Sequence, residues 1–249
     1  MTIAKVQVPA LPAIDFAENA LFFDVDGTLL DIASEPHGVK SAPSLVANLE
    51  RLSRRTNGAL AFISGRTLEN LDAIFAPLKL TTVACHGAEF RAPDGTIMRA
   101  EGLTPETKDW LIDIATVDRG IMVEDKHNSI AFHYRRVPHC EDVIIDAVHE
   151  HIGELKRKGL NVLHGKCVLE IKPSGINKGA GLRRLMNYAP FAGRQPIFAG
   201  DDRTDEDVFA ILPEFGGHGI SVGRTMTGAD FMVSQPRDIR HWLGQLAEQ

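Results

Sequence analysis

Two clusters of carboxylates carry most of the chemical content of this sequence. In the first, Asp24-Val25-Asp26-Gly27-Thr28 follows directly on the apolar run Ala20-Leu21-Phe22-Phe23. Such a run reads as a short buried strand that breaks into an acidic turn. Acids at the C-terminal end of a strand stand where open α/β sheets bind their ligands. Asp and Gly often end strands, but that habit does not explain two acids placed where desolvation is costly unless a cation or partner compensates. A calcium loop of the EF-hand type needs glycine at its sixth position, whereas here Gly27 stands fourth and Leu29 sixth.

The second cluster is Gly200-Asp201-Asp202-Arg203-Thr204-Asp205-Glu206-Asp207, again behind an apolar run at 197–199. Thr204 as a helix N-cap with acids in the first turn accounts for Asp205 to Asp207 but not for Asp201-Asp202. Two acidic clusters at strand ends of one sheet repel each other unless they share a hard cation, and oxygen ligands of this kind favour Mg²⁺. Two smaller signals suit a bound anion. Ser64, in Ile63-Ser64-Gly65-Arg66, ends a strand beside the next helix N-terminus, where a hydroxyl and backbone N–H groups can hold phosphate; a simple helix cap is the alternative. Lys178 opens a helix, a position the helix dipole disfavours for a cation, so it is expected to face an anion. Other matches fail. Residues 159–166 are one residue too long for a P-loop and are followed by Cys167 in place of Ser or Thr, and His149-Glu150-His151 lacks the i, i+4 spacing of a metal-binding helix pair.

The elements that must position these residues follow from periodicity. Strands are expected at 20–23, 59–63 and 81–85, with helices from Pro43 (Leu45, Val46, Leu49, Leu52) and over Leu68, Leu71, Ile74 and Phe75. The alternation returns as a helix at 179–188, a strand at 196–199, a helix at 204–212, strands at 219–222 and 231–233, and a closing helix capped by Asp238. This predicts a doubly wound, Rossmann-like parallel sheet with helices on both faces. Between the halves the order becomes helix, strand, strand, helix, strand, strand. A hairpin is expected from 121–126 to 129–135 through His127-Asn128, and a second from 161–164 to 167–172 around Gly165-Lys166. The expected division is an α/β core at 1–101 and 173–249 with an inserted α+β domain at 102–172.

Composition narrows the partners. With 27 Lys and Arg against 33 Asp and Glu, the net charge of −6 has the wrong sign for nucleic acid or anionic lipid. No apolar run is long enough to span a bilayer, and the N-terminus lacks the pattern of a signal peptide. Three scattered cysteines, Cys85, Cys140 and Cys167, form neither a disulfide framework nor a four-cysteine zinc site. A cytoplasmic protein is the expectation.

Asp24-Val25-Asp26-Gly27-Thr28, Ser64, Lys178 and Gly200-Asp201-Asp202, taken together and in order, resemble the haloacid dehalogenase superfamily of phosphohydrolases. The inserted segment is similar to one subfamily, the trehalose-6-phosphate phosphatases. The likeness rests on His86-Gly87-Ala88-Glu89, Val123-Glu124-Asp125-Lys126 with Ser129, His133-Tyr134-Arg135, Leu169-Glu170-Ile171-Lys172-Pro173 and the run from Gly200 to Phe209. The resemblance implies Asp24 as nucleophile, Asp26 as general acid and base, and Ser64 and Lys178 as phosphoryl-holding groups. It implies Mg²⁺ held by Asp24, the Asp26 backbone carbonyl and Asp201, with Asp202 or Asp205 as a supporting partner. The insertion would be a cap that sets substrate specificity, with Arg66, Glu124, Lys126, Arg135 and Glu170 as substrate-binding residues. Strand alternation puts Glu124 with Lys126, His133 with Arg135 and Glu170 with Lys172 on single faces. For His133 and Lys172 a solvated polar face serves equally well as an explanation.

The implied substrate is a small sugar phosphate, and the resemblance leaves room for transient contact with a trehalose-6-phosphate synthase. A phosphatase for sucrose phosphate or mannosyl-3-phosphoglycerate is the rival enzyme reading. A catalytically idle sugar-phosphate-binding protein would show damage at the nucleophile or metal acids, yet Asp24, Asp26 and Asp201 are all present.

Overall fold

A computed structural model describes residues 11–32, 41–126, 128–165 and 167–249. His127 and Lys166, expected in the two hairpin turns, lie outside the described residues. The chain forms two compact units, Met1–Met98 with Asn177–Gln249, and Arg99–Ile176.

In chain order, the first segment supplies β1 (Asn19–Phe23), α1 (Pro43–Arg55), β2 (Leu60–Ile63), α2 (Leu68–Ile74), β3 (Thr81–Ala84), β4 (Glu89–Arg91) and β5 (Ile97–Arg99). The inserted unit supplies α3 (Pro105–Ile114), β6 (Met122–Asp125), β7 (Ile130–His133), α4 (Glu141–Glu150), α5 (Ile152–Arg157), β8 (Leu160–Gly165) and β9 (Val168–Pro173). The returning segment adds α6 (Lys178–Leu185), β10 (Gln195–Gly200), α7 (Glu206–Phe209), β11 (His218–Val222), β12 (Phe231–Val233) and α8 (Pro236–Glu248).

The larger sheet runs β12-β11-β10-β1-β2-β3-β4-β5. Pairing is parallel from β12 through β3, and β4 then runs antiparallel to β3. Strand β1 is central and buried along its whole length, as a parallel strand covered on both faces must be. Its side chains alternate between two cores. Leu21 and Phe23 join α1, α2 and α8 on one face, while Ala20 and Phe22 join α6 and α7 on the other. Pro43 starts α1, and Leu45, Leu49 and Leu52 recur along the stripe that packs on Ile239, Leu243 and Leu246 of α8.

Strands β4 and β5 extend the sheet beyond β3; each is three residues long, too short for periodicity to register. Two local expectations are corrected. The helix expected at 204–212 is broken into a 3₁₀ turn at Arg203–Asp205, the single helical turn of α7 and a second 3₁₀ stretch at Leu212–Phe215. Pro213 supplies no N–H and disfavours helical geometry in the residue before it, and Gly216 then ends the segment in the left-handed region at φ 63°. Asp238 is the third residue of α8 and accepts from the Gln235 N–H, so Gln235 is the N-cap.

In the inserted unit the antiparallel sheet is ordered β6-β7-β9-β8. Ile130, Phe132, Leu169 and Ile171 point to its core together with Leu111, Ile144, Val148 and Leu155 from α3, α4 and α5. The opposite face carries the polar side chains.

The α1–α8 seam gives a direct test. Leu49 is fully buried within it, and Leu49→Ala is expected to cost about 2–5 kcal/mol in equilibrium urea unfolding. A loss below about 1 kcal/mol would show that this seam is not close-packed.

Candidate functional site

Asp24 follows directly on β1, and its N–H donates to the Ala199 carbonyl on β10 at 2.9 Å. That ladder sets the two acidic turns side by side. Glycine makes the approach possible. Gly27 has φ +83°, and a Cβ there would lie 2.0 Å from Asp201 Oδ2. At Gly200 a Cβ would meet Asp205 Cγ at 2.4 Å, so any side chain would expel Asp205 from beneath the turn. Asp205 Oδ2 accepts from the backbone N–H groups of Asp201 (2.9 Å) and Asp202 (3.0 Å), which fixes the turn from inside.

Lys178 comes from the first turn of α6. Its Nζ donates to Asp24 Oδ1 and to Asp205 Oδ1, each at 2.7 Å, and all three residues are buried. Asn177 caps the helix by accepting from the Ala180 N–H. Two glycines then let α6 lie close: a Cβ on Gly179 would meet the Asp207 carbonyl at 2.2 Å, and one on Gly181 would meet Val83 at 2.3 Å. The spacing Lys178-Gly179-Ala180-Gly181 thus puts a long cation deep between two carboxylates.

The charge in this pocket is unbalanced. Carboxylate oxygens of Asp24, Asp201 and Asp205 lie within 4.8 Å of one another. With every group ionised, Lys178 offsets one of three negative charges. Burial accordingly pushes Asp24 well above the usual carboxylate range; Lys178 counters this in part, and Asp205 and Asp201 add to it. Burial, then Asp205 and Asp202, push Asp201 up to about 7. Burial raises Asp205 to about 6 against the pull of Lys178. Burial works against the Lys178 charge, but Asp205 and Asp24 outweigh it and hold the ammonium well above its ordinary value. Clustered oxygen donors carrying a surplus of two negative charges fit a hard divalent cation. Asp205 already accepts from Lys178 and two backbone N–H groups, so Asp24 and Asp201 are the acids best suited to hold one.

The remaining predicted residues of this unit lie close by in sequence and contact. Ser64 is buried, its N–H donates to the Val83 carbonyl at 2.8 Å, and its Oγ accepts from the Arg66 N–H at 3.2 Å. The cap of α2 is Thr67, which leaves Ser64 outside that role. Arg66 forms a two-pronged ion pair with Asp26, Nε to Oδ2 and Nη2 to Oδ1, both at 2.6 Å. It therefore engages the second acid of the first cluster. Asp202, expected among the metal acids, is the N-cap of the 3₁₀ turn and its Oδ1 accepts from the N–H and hydroxyl of Thr204. Thr204 is thus capped and not the cap. Sequence reasoning attached no role to His86. Cys85 and His86 both adopt positive φ (47° and 52°), and the His86 ring lies against Gly65, where a Cβ would be 2.5 Å from Nε2. Burial works to raise the Asp202 carboxyl, but Lys178, then the Thr204 hydrogen bond and the nearby His86, hold it below its usual range.

In the inserted unit, cross-strand register puts Glu124, Ala131 and Glu170 in one row. Glu170 is buried and accepts from Ser129 Oγ at 2.7 Å and Lys126 Nζ at 3.0 Å. Glu124 Oε2 lies 2.8 Å from His133 Nε2, and that hydrogen bond holds the Glu124 carboxyl below its usual range. Four of the expected side chains therefore form two satisfied pairs on one face. Arg135 does not join them through the strand. Strand β7 ends at His133, Val137 N–H turns back to the Tyr134 carbonyl, and Arg135 is exposed in that turn.

No helix among the described residues is long and apolar enough to cross a membrane. The sequence matches the family profile described as trehalose-phosphatase over residues 22–232. It is 38% identical to a probable trehalose-phosphate phosphatase of Sinorhizobium fredii, covering 89% of this chain and 84% of the relative. It is 35% identical to the trehalose-6-phosphate phosphatase of Escherichia coli, covering 98% of this chain and 90% of the relative. The C-terminal domain of the C. albicans trehalose-6-phosphate phosphatase superposes with a TM-score of 0.80 at 23% identity, covering 93% of this chain and 92% of that one, a likeness of fold.

The raised carboxylates set a sign for pH dependence. Asp201 moves from an ordinary 3.8 to about 7, so across that window the native chain holds protons that the unfolded chain has lost. Metal-free protein is therefore expected to lose stability as pH rises from 4 toward 7, and Asp201→Asn to flatten that slope, in thermal unfolding with excess chelator. An unchanged slope in Asp201→Asn would show that Asp201 is not held protonated.

Proposed function

Because the chain belongs to the trehalose-phosphatase family, we propose that this phosphoric monoester hydrolase converts trehalose 6-phosphate to trehalose and phosphate through a phosphorylated Asp24, as the last step of trehalose synthesis. The observation that carries this reading is the buried Asp24–Lys178–Asp205 chain beside Asp201, at the end of the central strand.

Lys178 holds Asp24 Oδ1, which orients the carboxylate and leaves Oδ2 to form the bond to phosphorus as the bond to the sugar oxygen breaks. Asp26 gives its proton to that departing oxygen. It then takes a proton from the water that attacks the aspartyl-phosphate, so both aspartates end the cycle as they began. Before it can act, Asp26 must exchange its Arg66 partner for the substrate and take up a proton from solvent. It returns that proton to solvent when the ion pair re-forms after the cycle. Ser64 and Lys178 hold phosphoryl oxygens, and Asp205 keeps Lys178 aligned. Mg²⁺, held by Asp24, Asp201 and the Asp26 carbonyl, would supply neutralisation of phosphoryl charge when bound. In the inserted unit, Glu124, Lys126, Glu170 and Arg135 bind sugar hydroxyls; Ser129 and His133 fix the two carboxylates.

Asp24→Asn is expected to abolish phosphate release, because an amide does not attack phosphorus, and brief reaction with substrate followed by acid quench should yield a phosphorylated peptide containing Asp24. Substantial turnover by purified Asp24→Asn protein would remove the covalent route. Chelation should stop the wild-type enzyme and Mg²⁺ restore it; full activity in excess chelator would dismiss the cation. For the sugar-binding residues, a charge-assisted hydrogen bond is worth roughly 1.5–3 kcal/mol, or on the order of ten- to a hundred-fold. Glu124→Ala and Glu170→Ala should lose that much kcat/KM on trehalose 6-phosphate while largely keeping activity on a small aryl phosphate. Equal losses on both substrates would mean that these residues support folding and not sugar recognition.

A further inference from the structure

A second group of metal-ligating side chains converges in the inserted unit and shares no residue with the carboxylate cluster. The ligand atoms of Asp118, His139 and Cys140 lie within 4.8 Å of one another. We propose that these three residues form a binding site for a divalent cation of the zinc class.

The donor set differs in kind from the oxygen cluster around Asp24. A carboxylate, an imidazole and a thiol are the mixture that suits Zn²⁺, and three protein ligands leave a fourth tetrahedral position for water. Mg²⁺ has no preference for sulfur or nitrogen donors.

The backbone prepares each ligand. Asp118 precedes a tight turn in which Gly120 N–H donates to its Oδ1 at 2.6 Å and Ile121 N–H to its carbonyl at 3.2 Å, fixing the carboxylate. His139 and Cys140 sit in the 3₁₀ turn Pro138–Cys140, closed by the Cys140 N–H on the Val137 carbonyl at 2.9 Å. Gly120 joins the two segments, since a Cβ there would lie 2.4 Å from Val137 Cγ1 and 3.1 Å from Asp118 Oδ1. The turn bearing Asp118 can therefore lie against the residue that leads into His139 and Cys140.

Access and charge also agree. Cys140 is buried while His139 is exposed, so an ion would enter from the imidazole side and end on the sulfur. The Cys140 sulfur and the Asp118 carboxylate lie within 4.8 Å of each other, with the His139 imidazole equally near. A divalent cation would displace the thiol proton to water and be bound by the thiolate, the carboxylate and the imidazole. A chance pairing would account for an acid beside a thiol, but it gives no reason for a third ligand of the right chemistry beside them.

Cobalt(II) is the probe, added to full-length, metal-free protein under reducing, oxygen-free conditions. One equivalent should produce a thiolate-to-cobalt charge-transfer band in the near ultraviolet, which Zn²⁺ displaces and a large excess of Mg²⁺ does not. The oxygen donors around Asp24 cannot produce that band. Cys140→Ser should lose it, Cys167→Ser should keep it, and His139→Ala should weaken cobalt affinity by at least about tenfold. His139 is exposed, so its variant tests the site even if Cys140→Ser fails to fold. Absence of the band, its persistence in folded Cys140→Ser, or unchanged affinity in His139→Ala would each overturn the site.

Discussion

The structure of the larger unit depends on one buried ammonium. Lys178 reaches Asp24 and Asp205 at equal distance from the first turn of a helix whose dipole opposes it. Burying three ionised groups is costly, and such clusters seldom stabilise a fold over an apolar substitute. Its surroundings make sense as the means of holding that cluster. Gly179 and Gly181 let α6 press against α7 and β3, Gly200 makes room for Asp205, and Gly27 lets the two acidic turns touch. Each is a place where any side chain would push the charges apart.

Much of this was legible in the sequence because it depends on local pattern. An apolar run ending in acids marks a strand of a parallel sheet, and a lysine where a helix begins requires an anion. What stayed hidden depends on pairs distant in sequence or on competition among like residues. Asp201, Asp202 and Asp205 are chemically equivalent on paper. A capping box assigns Asp202 to Thr204 and Asp205 to the inside of the turn. The Asp26–Arg66 ion pair joins residues 40 apart that motif reading treated separately. The positive φ of Cys85 and His86 has no signal in composition, since neither residue type announces it.

The inserted unit shows the same economy with a different result. Its sheet is amphipathic, with aliphatic and aromatic residues on the helix side and charged residues on the other. The charged face is not simply solvated. Glu170 is buried and doubly hydrogen-bonded, and Glu124 is tied to His133, so both carboxylates are held in fixed positions. Groups fixed in this way have already given up rotamer freedom in the folded protein.

The parallel order of the large sheet also governs how the chain comes to exist. Strand β1 pairs with β2 on one side and with β10 on the other, a partner more than 170 residues downstream, with the whole inserted unit encoded between them. A ribosome delivers β1 and β2 long before β10. Throughout that interval a strand built to be buried on both faces presents an unsatisfied edge, the feature that invites intermolecular pairing. High contact order slows the closing step further. The seam that unites the two acidic turns thus closes only late in synthesis, and until then the nascent chain is exposed to aggregation at the strand on which its chemistry is later built.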